Sequence, residues 1–235
     1  MRALVLLLTL TTSLAALGCH HHSAPPSSAD SAAAKEDTSM RLTDAADVVA
    51  TIVGDGTEHN IPQAVTSHTR CVAVVPALVQ GGLFVGAKHG HGVITCRVAG
   101  GWSSPAFFMV TGGTAGLQIG LQSVDLVMLV LTEHGQRAFA TKKLRLGGDV
   151  SATAGPEGRG RAEDTDTSLR SEIVSYSRSR GLFAGVDLSG ATVRPDPEAT
   201  RAFYGQDEAI DTLLETPAPT PSPADPFLSR VRAAF

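Results

Sequence analysis

The sequence predicts an α+β fold, a single domain in which helices flank a glycine-rich and mainly antiparallel sheet. Three observations favour this fold. Apolar residues make up 43% of the 235 residues and charged residues 18%, a composition that can build one hydrophobic core. Short apolar runs alternate with glycines through the middle of the chain, which is typical of strands joined by turns. Apolar residues at helical spacing precede and follow that region.

Glycine is frequent and unevenly distributed. The chain has 24 glycines, and 20 of them lie between residues 81 and 190. Average proteins contain about 7% glycine, so this block exceeds ordinary usage. We expect these glycines to form turns or to let two chain segments approach each other closely.

The first residues are predicted to be a processing segment. Residues 1–18 combine a positive start with an apolar stretch that is too short to span a bilayer of about 30 Å, a pattern typical of a signal peptide. Cys19 ends this stretch after Ala16-Leu17-Gly18, which resembles the lipid-attachment motif of bacterial lipoproteins. We therefore predict that Cys19 carries a lipid; the alternative is ordinary secretory cleavage with an incidental cysteine.

The expected location is the bacterial cell envelope. The residue after the predicted lipid site is His20 and not aspartate, which favours the outer membrane, facing the periplasm, over the inner membrane. Residues 19–40 are rich in Ala, Ser and Pro, and they are predicted to be the lipidated cysteine followed by a flexible linker.

The predicted domain spans residues 41–205 and opens with helices. A first helix is predicted over residues 42–53, where apolar side chains recur at helical spacing, and a short second helix after Pro62. Strands are predicted over 71–79, 82–87, 93–98, 106–110 and 124–131, with a turn at Gly90 and Gly92. A helix over 132–142 follows, then strands over 144–146, 150–154, 181–188 and 191–193 and a closing helix over 197–204.

Residues 206–235 are predicted to form an acidic and proline-rich tail. Phe227, Val231 and Phe235 lie four residues apart, so a short terminal helix would place them on one face. A frayed end is favoured over a docked helix, because chain ends are commonly mobile.

Cys71 and Cys96 are the two cysteines that remain after the predicted lipid site. A disulfide between them would close a loop of about 26 residues and stabilise the domain by roughly 3 kcal/mol. Export to an oxidising compartment favours this bond. Two buried thiols are the alternative, since free cysteines are often buried.

The charge balance excludes a typical nucleic-acid binder. Lys and Arg total 19 against 23 for Asp and Glu, whereas binding to phosphates needs a basic excess. Residues 137–180 nevertheless hold nine basic and six acidic residues. The lipid-binding candidates in this segment are Lys142, Lys143, Arg145, Arg178 and Arg180. A solvated face is the alternative, with these residues paired to Glu163, Asp164, Asp166 or Glu172.

No motif predicts catalysis, a cofactor or a metal site. Residues 185–190 lack the glycine that a nucleophile elbow needs, and the glycine-rich residues 112–120 lack the Lys-Ser/Thr of a phosphate-binding loop. His89 and His91 would share one face of a strand, but a metal ion needs further ligands. A surface turn between Gly90 and Gly92 is therefore favoured for this pair.

Several motifs in register resemble one family, the SYLF domain. The resemblance covers the 123 residues from Gly82 to Tyr204. The segments that carry it are Gly82-Leu83-Phe84-Val85-Gly86, Gly101-Trp102, Gln118-Ile119-Gly120, Leu146-Gly147-Gly148-Asp149, Ser175-Tyr176-Ser177-Arg178-Ser179-Arg180-Gly181 and Tyr204-Gly205. The family usually has Lys where Arg180 stands, a change that keeps the charge.

The resemblance implies a non-catalytic function. Members bind membrane lipid, including phosphoinositides in eukaryotes, and yeast members bind and bundle actin. For a bacterial envelope protein, anionic or generic lipid headgroups are the expected partner, and actin is not expected. Two alternatives remain open: a protein-interaction or assembly module of the cell envelope, and an unrecognised hydrolase.

Overall fold

A long two-stranded ribbon organises the fold. The computed structural model describes residues 28–54, 61–141, 143–154, 170–179, 188, 190–217 and 220–235, and it leaves the side chains of 83–85, 114–120 and 179 undescribed. The helices are α1 (Ser28–Ile52), α2 (Gln63–His68), α3 (Glu133–Phe139), α4 (Pro197–Tyr204), α5 (Ile210–Glu215) and α6 (Asp225–Ala234). The strands are β1 (Cys71–Val98), β2 (Gly101–Trp102), β3 (Ala106–Val130), β4 (Leu144–Arg145), β5 (Ala152–Ala154), β6 (Ile173–Ser179) and β7 (Thr192–Pro195).

The predicted α+β class is confirmed, since helices pack on a sheet whose pairings are mostly antiparallel. β1 and β3 pair along almost their whole lengths, from Cys71 opposite Val130 to Ile94 opposite Ala106. β6 and β7 add to β3, β4 adds to β7, and β5 joins β6 in parallel. The predicted strand over 181–188 falls outside the described residues except for Leu188.

The prediction of several short strands in this region is wrong. The three predicted segments between 71 and 98 merge into β1, and those at 106–110 and 124–131 merge into β3. Gly90 and Gly92 lie in extended, paired backbone opposite Val110 and Phe108, so they form no turn. β6 was not predicted as a strand, because its Ser-Tyr-Ser-Arg-Ser sequence has few apolar residues.

The β1–β3 ribbon folds back on itself. Cys71 and Cys96 lie at the two ends of β1 and are bonded through their sulfur atoms, with 3.9 Å between their Cα atoms. A straight strand would separate residues 25 positions apart by about 80 Å. The Arg97 main-chain N–H also donates to the Arg70 carbonyl oxygen at 2.7 Å. The last residues of β1 therefore lie beside its first residues.

Two of the glycines make this closure sterically feasible. A Cβ atom on Gly92 would lie 2.4 Å from Cζ of Phe108 and 2.7 Å from the carbonyl oxygen of Val74. A Cβ atom on Gly90 would lie 2.7 Å from Cγ1 of Val75. Glycine was expected either to form turns or to let chain segments approach closely, and at these two positions it does the second.

The curled sheet buries both of its faces. The concave face holds a core that includes Val75, Phe108 and Met128 and packs against α3 and α5. The opposite, convex face holds a second core with Val74, Phe107 and Leu129, and α1, α4 and α6 cover it. Burial on both faces explains the continuous apolar runs at the ends of the long strands.

Helix α1 begins at Ser28, so residues 28–40 are helical and not a flexible linker. Its first ten residues are exposed, which is why the sequence shows no apolar period there. Alanine and lysine are good helix formers, and they extend the helix beyond its buried part. Buried side chains begin at Thr38 and continue to Ile52 on the face that packs on the sheet.

The C-terminal residues belong to the core and do not fray. Phe227 and Val231 are fully buried on α6, as the four-residue spacing predicts for a helix. The ring of Phe235 lies 6.2 Å from that of Trp102. The fold thus continues beyond the predicted boundary at residue 205.

Replacing Gly92 by Ala is expected to destabilise the protein by about 1–3 kcal/mol, because the added methyl group would overlap the Phe108 ring and the Val74 carbonyl. Urea unfolding followed by circular dichroism measures this. Gly113→Ala is the matched control on the partner strand, since its nearest described contact is 3.9 Å away. Equal losses in the two variants would contradict the steric role of Gly92.

Replacing Phe227 by Ala is expected to cost about 3–5 kcal/mol, the usual loss for a large buried aromatic side chain. Ser229→Ala on the exposed side of α6 should change stability by less than about 0.5 kcal/mol. Thermal unfolding of both variants provides the comparison. If Phe227→Ala unfolds like the control, then α6 does not stabilise the core.

Candidate lipid-binding surface

The predicted basic residues that the structure describes do not form one cluster. Cys19, Lys142 and Arg180 lie outside the described residues. Lys143 and Arg145 are exposed beside and on β4. Arg178 lies on β6, and in the described sheet β7 and β3 stand between β4 and β6. The structure therefore separates Arg178 from Lys143 and Arg145.

Arg178 forms an ion pair with a buried carboxylate. Its guanidinium nitrogen lies 3.2 Å from Oδ2 of Asp125, which is directly opposite on β3 and fully buried. Half of the Arg178 side chain is exposed to solvent, so the group can also face a ligand. The acidic partner of Arg178 is thus a residue that the sequence analysis did not consider.

Asp125 also holds an irregular point of the ribbon. Its Oδ1 accepts a hydrogen bond of 3.2 Å from the main-chain N–H of Ala77. Ala77 has a positive φ of 54° and lies in a bulge between Val75 and Leu78, where β1 has one residue more than β3. One buried carboxylate therefore supports both the bulge and the Arg178 side chain.

Glu172, a predicted partner of the basic residues, pairs with a histidine. Oε1 of Glu172 lies 2.5 Å from Nδ1 of His134. Burial raises the pKa of Glu172, but hydrogen bonds from the Ser151 main-chain N–H and from His134 outweigh it, so the pKa lies below its usual value. This carboxylate is engaged at the junction of α3 with β6.

Two exposed apolar side chains lie on the same face of the sheet as Arg178. Leu121 is 80% exposed and Val79 is 42% exposed. Val79 lies opposite Ser123, and Arg178 lies opposite Asp125. Leu121, Ser123 and Asp125 alternate along β3, so all these side chains project from the convex face. We call Val79, Leu121 and Arg178 the ribbon-end surface.

The ribbon-end surface combines apolar side chains with a cation. An exposed apolar patch is a usual sign of a protein or membrane contact, and a basic group nearby favours anionic headgroups. Val79 was missed from the sequence because the bulge at residues 76 and 77 changes which residues of β1 face outward, and Leu121 because no strand was predicted over that part of β3. No helix in the described part of the chain is long and apolar enough to cross a bilayer.

Comparison with known proteins identifies the family. Residues 111–234 match the model of a family described as "Ysc84: Las17-binding protein actin regulator".

The chain belongs to the Ysc84 family.

This is the SYLF family whose motifs the sequence resembles, so that prediction is confirmed. The match extends through α6, in agreement with the burial of that helix. The Ysc84 family is one of non-catalytic binding domains. Its description names a Las17-binding protein and actin regulation, whereas the sequence analysis expects no actin partner for this chain.

Curated relatives resemble most of this chain. Protein YSC84 of Saccharomyces cerevisiae is 36% identical over 177 residues, which cover 74% of this chain and 38% of that protein. SH3 domain-containing YSC84-like protein 1 of Xenopus laevis is 35% identical over 156 residues, 66% of this chain and 46% of the relative. The Homo sapiens protein of that name is 33% identical over 169 residues, which cover 70% of this chain and 49% of that protein. The matched region spans less than half the length of each of these relatives.

Replacing Asp125 by Ala is expected to destabilise the protein by about 1–3 kcal/mol, because the main-chain N–H of Ala77 would lose its acceptor. Glu133→Ala is the control. It removes the Glu133–Arg137 ion pair, whose side chains are both more than 60% exposed, and should cost less than about 1 kcal/mol. Urea unfolding distinguishes them; an Asp125→Ala loss no larger than the control would contradict this role.

Proposed function

We propose that this protein is a lipid-anchored bacterial envelope protein whose Ysc84 domain binds membrane lipid through the ribbon-end surface and catalyses no reaction. The observation that carries the proposal is the exposure of Leu121 and Val79 on the same sheet face as Arg178, in a member of a binding-domain family. The expected partner is an anionic or generic lipid headgroup, with adjoining acyl chains.

A lipid on Cys19 would supply most of the membrane affinity. Each buried methylene of an acyl chain contributes about 0.8 kcal/mol, so several chains anchor a protein durably. The domain then needs only a weak contact of its own to orient on the bilayer. The proposed location is the outer membrane, facing the periplasm. The Cys71–Cys96 disulfide supports export, because such bonds persist in oxidising compartments.

Apolar contact should outweigh charge at this surface. Full burial of a leucine side chain contributes about 1.5–3 kcal/mol, whereas a basic group near an anionic leaflet contributes about 1 kcal/mol. Arg178 is also partly neutralised by Asp125. We therefore propose that binding depends more on Leu121 than on anionic lipid content, with Lys143 and Arg145 adding a weaker attraction from β4.

A protein-binding role in the cell envelope is the second candidate. It is favoured by the family description, which names a Las17-binding protein. The names actin and Las17 come from that family description, and a bacterial envelope protein would encounter neither of them. The partner would then be another envelope protein, and the ribbon-end surface would be its docking site.

Vesicle co-sedimentation tests the lipid proposal. The Cys19→Ser chain, which cannot be lipidated, is expected to bind phosphatidylglycerol-containing vesicles and, more weakly, phosphatidylcholine vesicles. Replacing Val79 and Leu121 together by Ser should weaken binding by at least about tenfold, the effect of about 1.4 kcal/mol. Met40→Ser is the matched control, because Met40 is 54% exposed but lies on α1.

A second arm of the same experiment separates charge from apolar contact. Replacing Lys142, Lys143, Arg145, Arg178 and Arg180 by Ser should remove the preference for phosphatidylglycerol and the salt dependence. Unchanged binding of the Val79/Leu121 variant would overturn the ribbon-end surface as the lipid contact. Absence of vesicle binding, together with crosslinking in cells to one stoichiometric protein, would favour the second candidate.

A further inference from the structure

Two imidazole rings meet on the convex face of β1. His89 and His91 are separated by one residue, so both project from the same side of the strand. Their Nε2 atoms are 3.1 Å apart, and the ring planes are nearly perpendicular, at 84°. His89 is exposed, and 42% of the His91 side chain is exposed, so solvent and ions can reach the pair.

A buried carboxylate fixes the orientation of His91. Its Nδ1 lies 3.1 Å from Oδ2 of Asp196, whose side chain is only 7% exposed. The other oxygen of Asp196 accepts from the Ala199 main-chain N–H at 3.0 Å and so caps α4. Because Asp196 accepts at Nδ1, that nitrogen carries the proton, and the Nε2 lone pair of His91 points towards His89.

Charged groups of both signs lie near the histidine pair. Arg41 contacts Oδ2 of Asp196 at 3.4 Å, but it also pairs with Asp37 at 2.9 Å. The exposed Arg194 lies on the same sheet face, opposite Met109, which in turn lies opposite His91. A carboxylate that holds one ring nitrogen while the other nitrogen faces a ligand is the usual outer shell of a metal-bound histidine.

We propose that Nε2 of His89 and Nε2 of His91 bind one divalent transition-metal ion, Cu²⁺ more tightly than Zn²⁺, with Asp196 as the positioning residue of His91. Two nitrogens at about 2.0–2.1 Å from a tetrahedral zinc ion are about 3.3 Å apart, and two adjacent nitrogens of a square-planar copper ion are about 2.8 Å apart. The observed separation of 3.1 Å lies between these two values. Imidazole ligands suit both ions, and copper stands above zinc in the general order of affinities.

The site is an open one, because two protein ligands leave the other positions to water. Among the residues that the structure describes, no group of three or more His, Cys, Asp or Glu side chains is placed to hold a metal ion. We therefore expect exchangeable binding that folding does not require. The competing explanation for the geometry is a direct hydrogen bond from Nε2–H of His89 to Nε2 of His91, which needs no metal.

Titration of the whole chain with Cu²⁺ and with Zn²⁺ tests the proposal. The chain carries Cys19→Ser and alanine at positions 20–22, so that the tether histidines cannot bind the metal. Calorimetry should show one Cu²⁺ per chain, and the electron paramagnetic resonance spectrum should show coupling to two imidazole nitrogens. His89→Gln and His91→Gln should each weaken Cu²⁺ binding by at least about tenfold.

His134→Gln is the matched control, because this exposed histidine pairs with Glu172 away from the site and should bind Cu²⁺ as before. Asp196→Asn should weaken binding by about 10- to 100-fold, the usual effect of removing an outer-shell carboxylate. In the metal-free Asp196→Asn chain, nitrogen NMR should also find His91 in both neutral tautomers, which a purely structural role would not produce.

Two results would overturn the proposal. One is the absence of stoichiometric Cu²⁺ binding to the chain, which would leave the direct histidine–histidine hydrogen bond as the explanation. The other is binding that survives in both His89→Gln and His91→Gln, which would place the metal elsewhere. Circular dichroism of each variant confirms that the fold is retained.

Discussion

The closure of β1 onto its own first residues is the constraint on which the rest of the structure depends. The main chain at Gly92 approaches the Val74 carbonyl so closely that no side chain fits between them, and the Cys71–Cys96 bond joins the same two segments covalently. This closure gives the ribbon a concave face that α3 and α5 pack against and a convex face that α1, α4 and α6 cover. Because the helices cover only part of the convex face, the far end of the ribbon stays exposed at Leu121.

The sequence was sufficient for the fold class and the family, and it was insufficient for the path of the chain. Apolar spacing located the buried part of α1, and the four-residue spacing of Phe227 and Val231 allowed a helix at α6, although a frayed end was favoured there. The sequence alone could not distinguish a glycine that turns the chain from one that permits close packing. Gly90 and Gly92 are compatible with both roles. The long-range contacts that decide between these roles join residues far apart in sequence, such as Gly92 with Val74.

The candidate surface shows the same limit. Arg178 was identified from its charge, but its partner Asp125 is distant in sequence, and the register of β3 with β6 brings them together. Val79 has the pattern of an ordinary buried strand residue, and Leu121 lies outside every predicted strand. The sequence favours a surface turn for the histidine pair, whereas the structure places both residues on one face of the paired strand β1. The support of His91 by Asp196 depends on the packing of α4 against the sheet. The local sequence pattern identified which side chains could act, and tertiary packing determined the environment of each.

The bulge at Pro76 and Ala77 determines which of the following β1 residues face each side of the sheet. Before the bulge the odd-numbered residues Cys71, Ala73 and Val75 face the concave side, and after it even-numbered residues such as Leu78, Ile94 and Cys96 do. His89 and His91 face outward only because of this inversion. Within the regular pairing from Gly86 to Ile94, a one-residue deletion would reverse the face of the residues on one side of it, and so would turn either the two imidazoles or the buried residues beyond them to the wrong side. The ribbon takes up unequal strand lengths only where its pairing is irregular, at the bulge and between Leu83 and Val85.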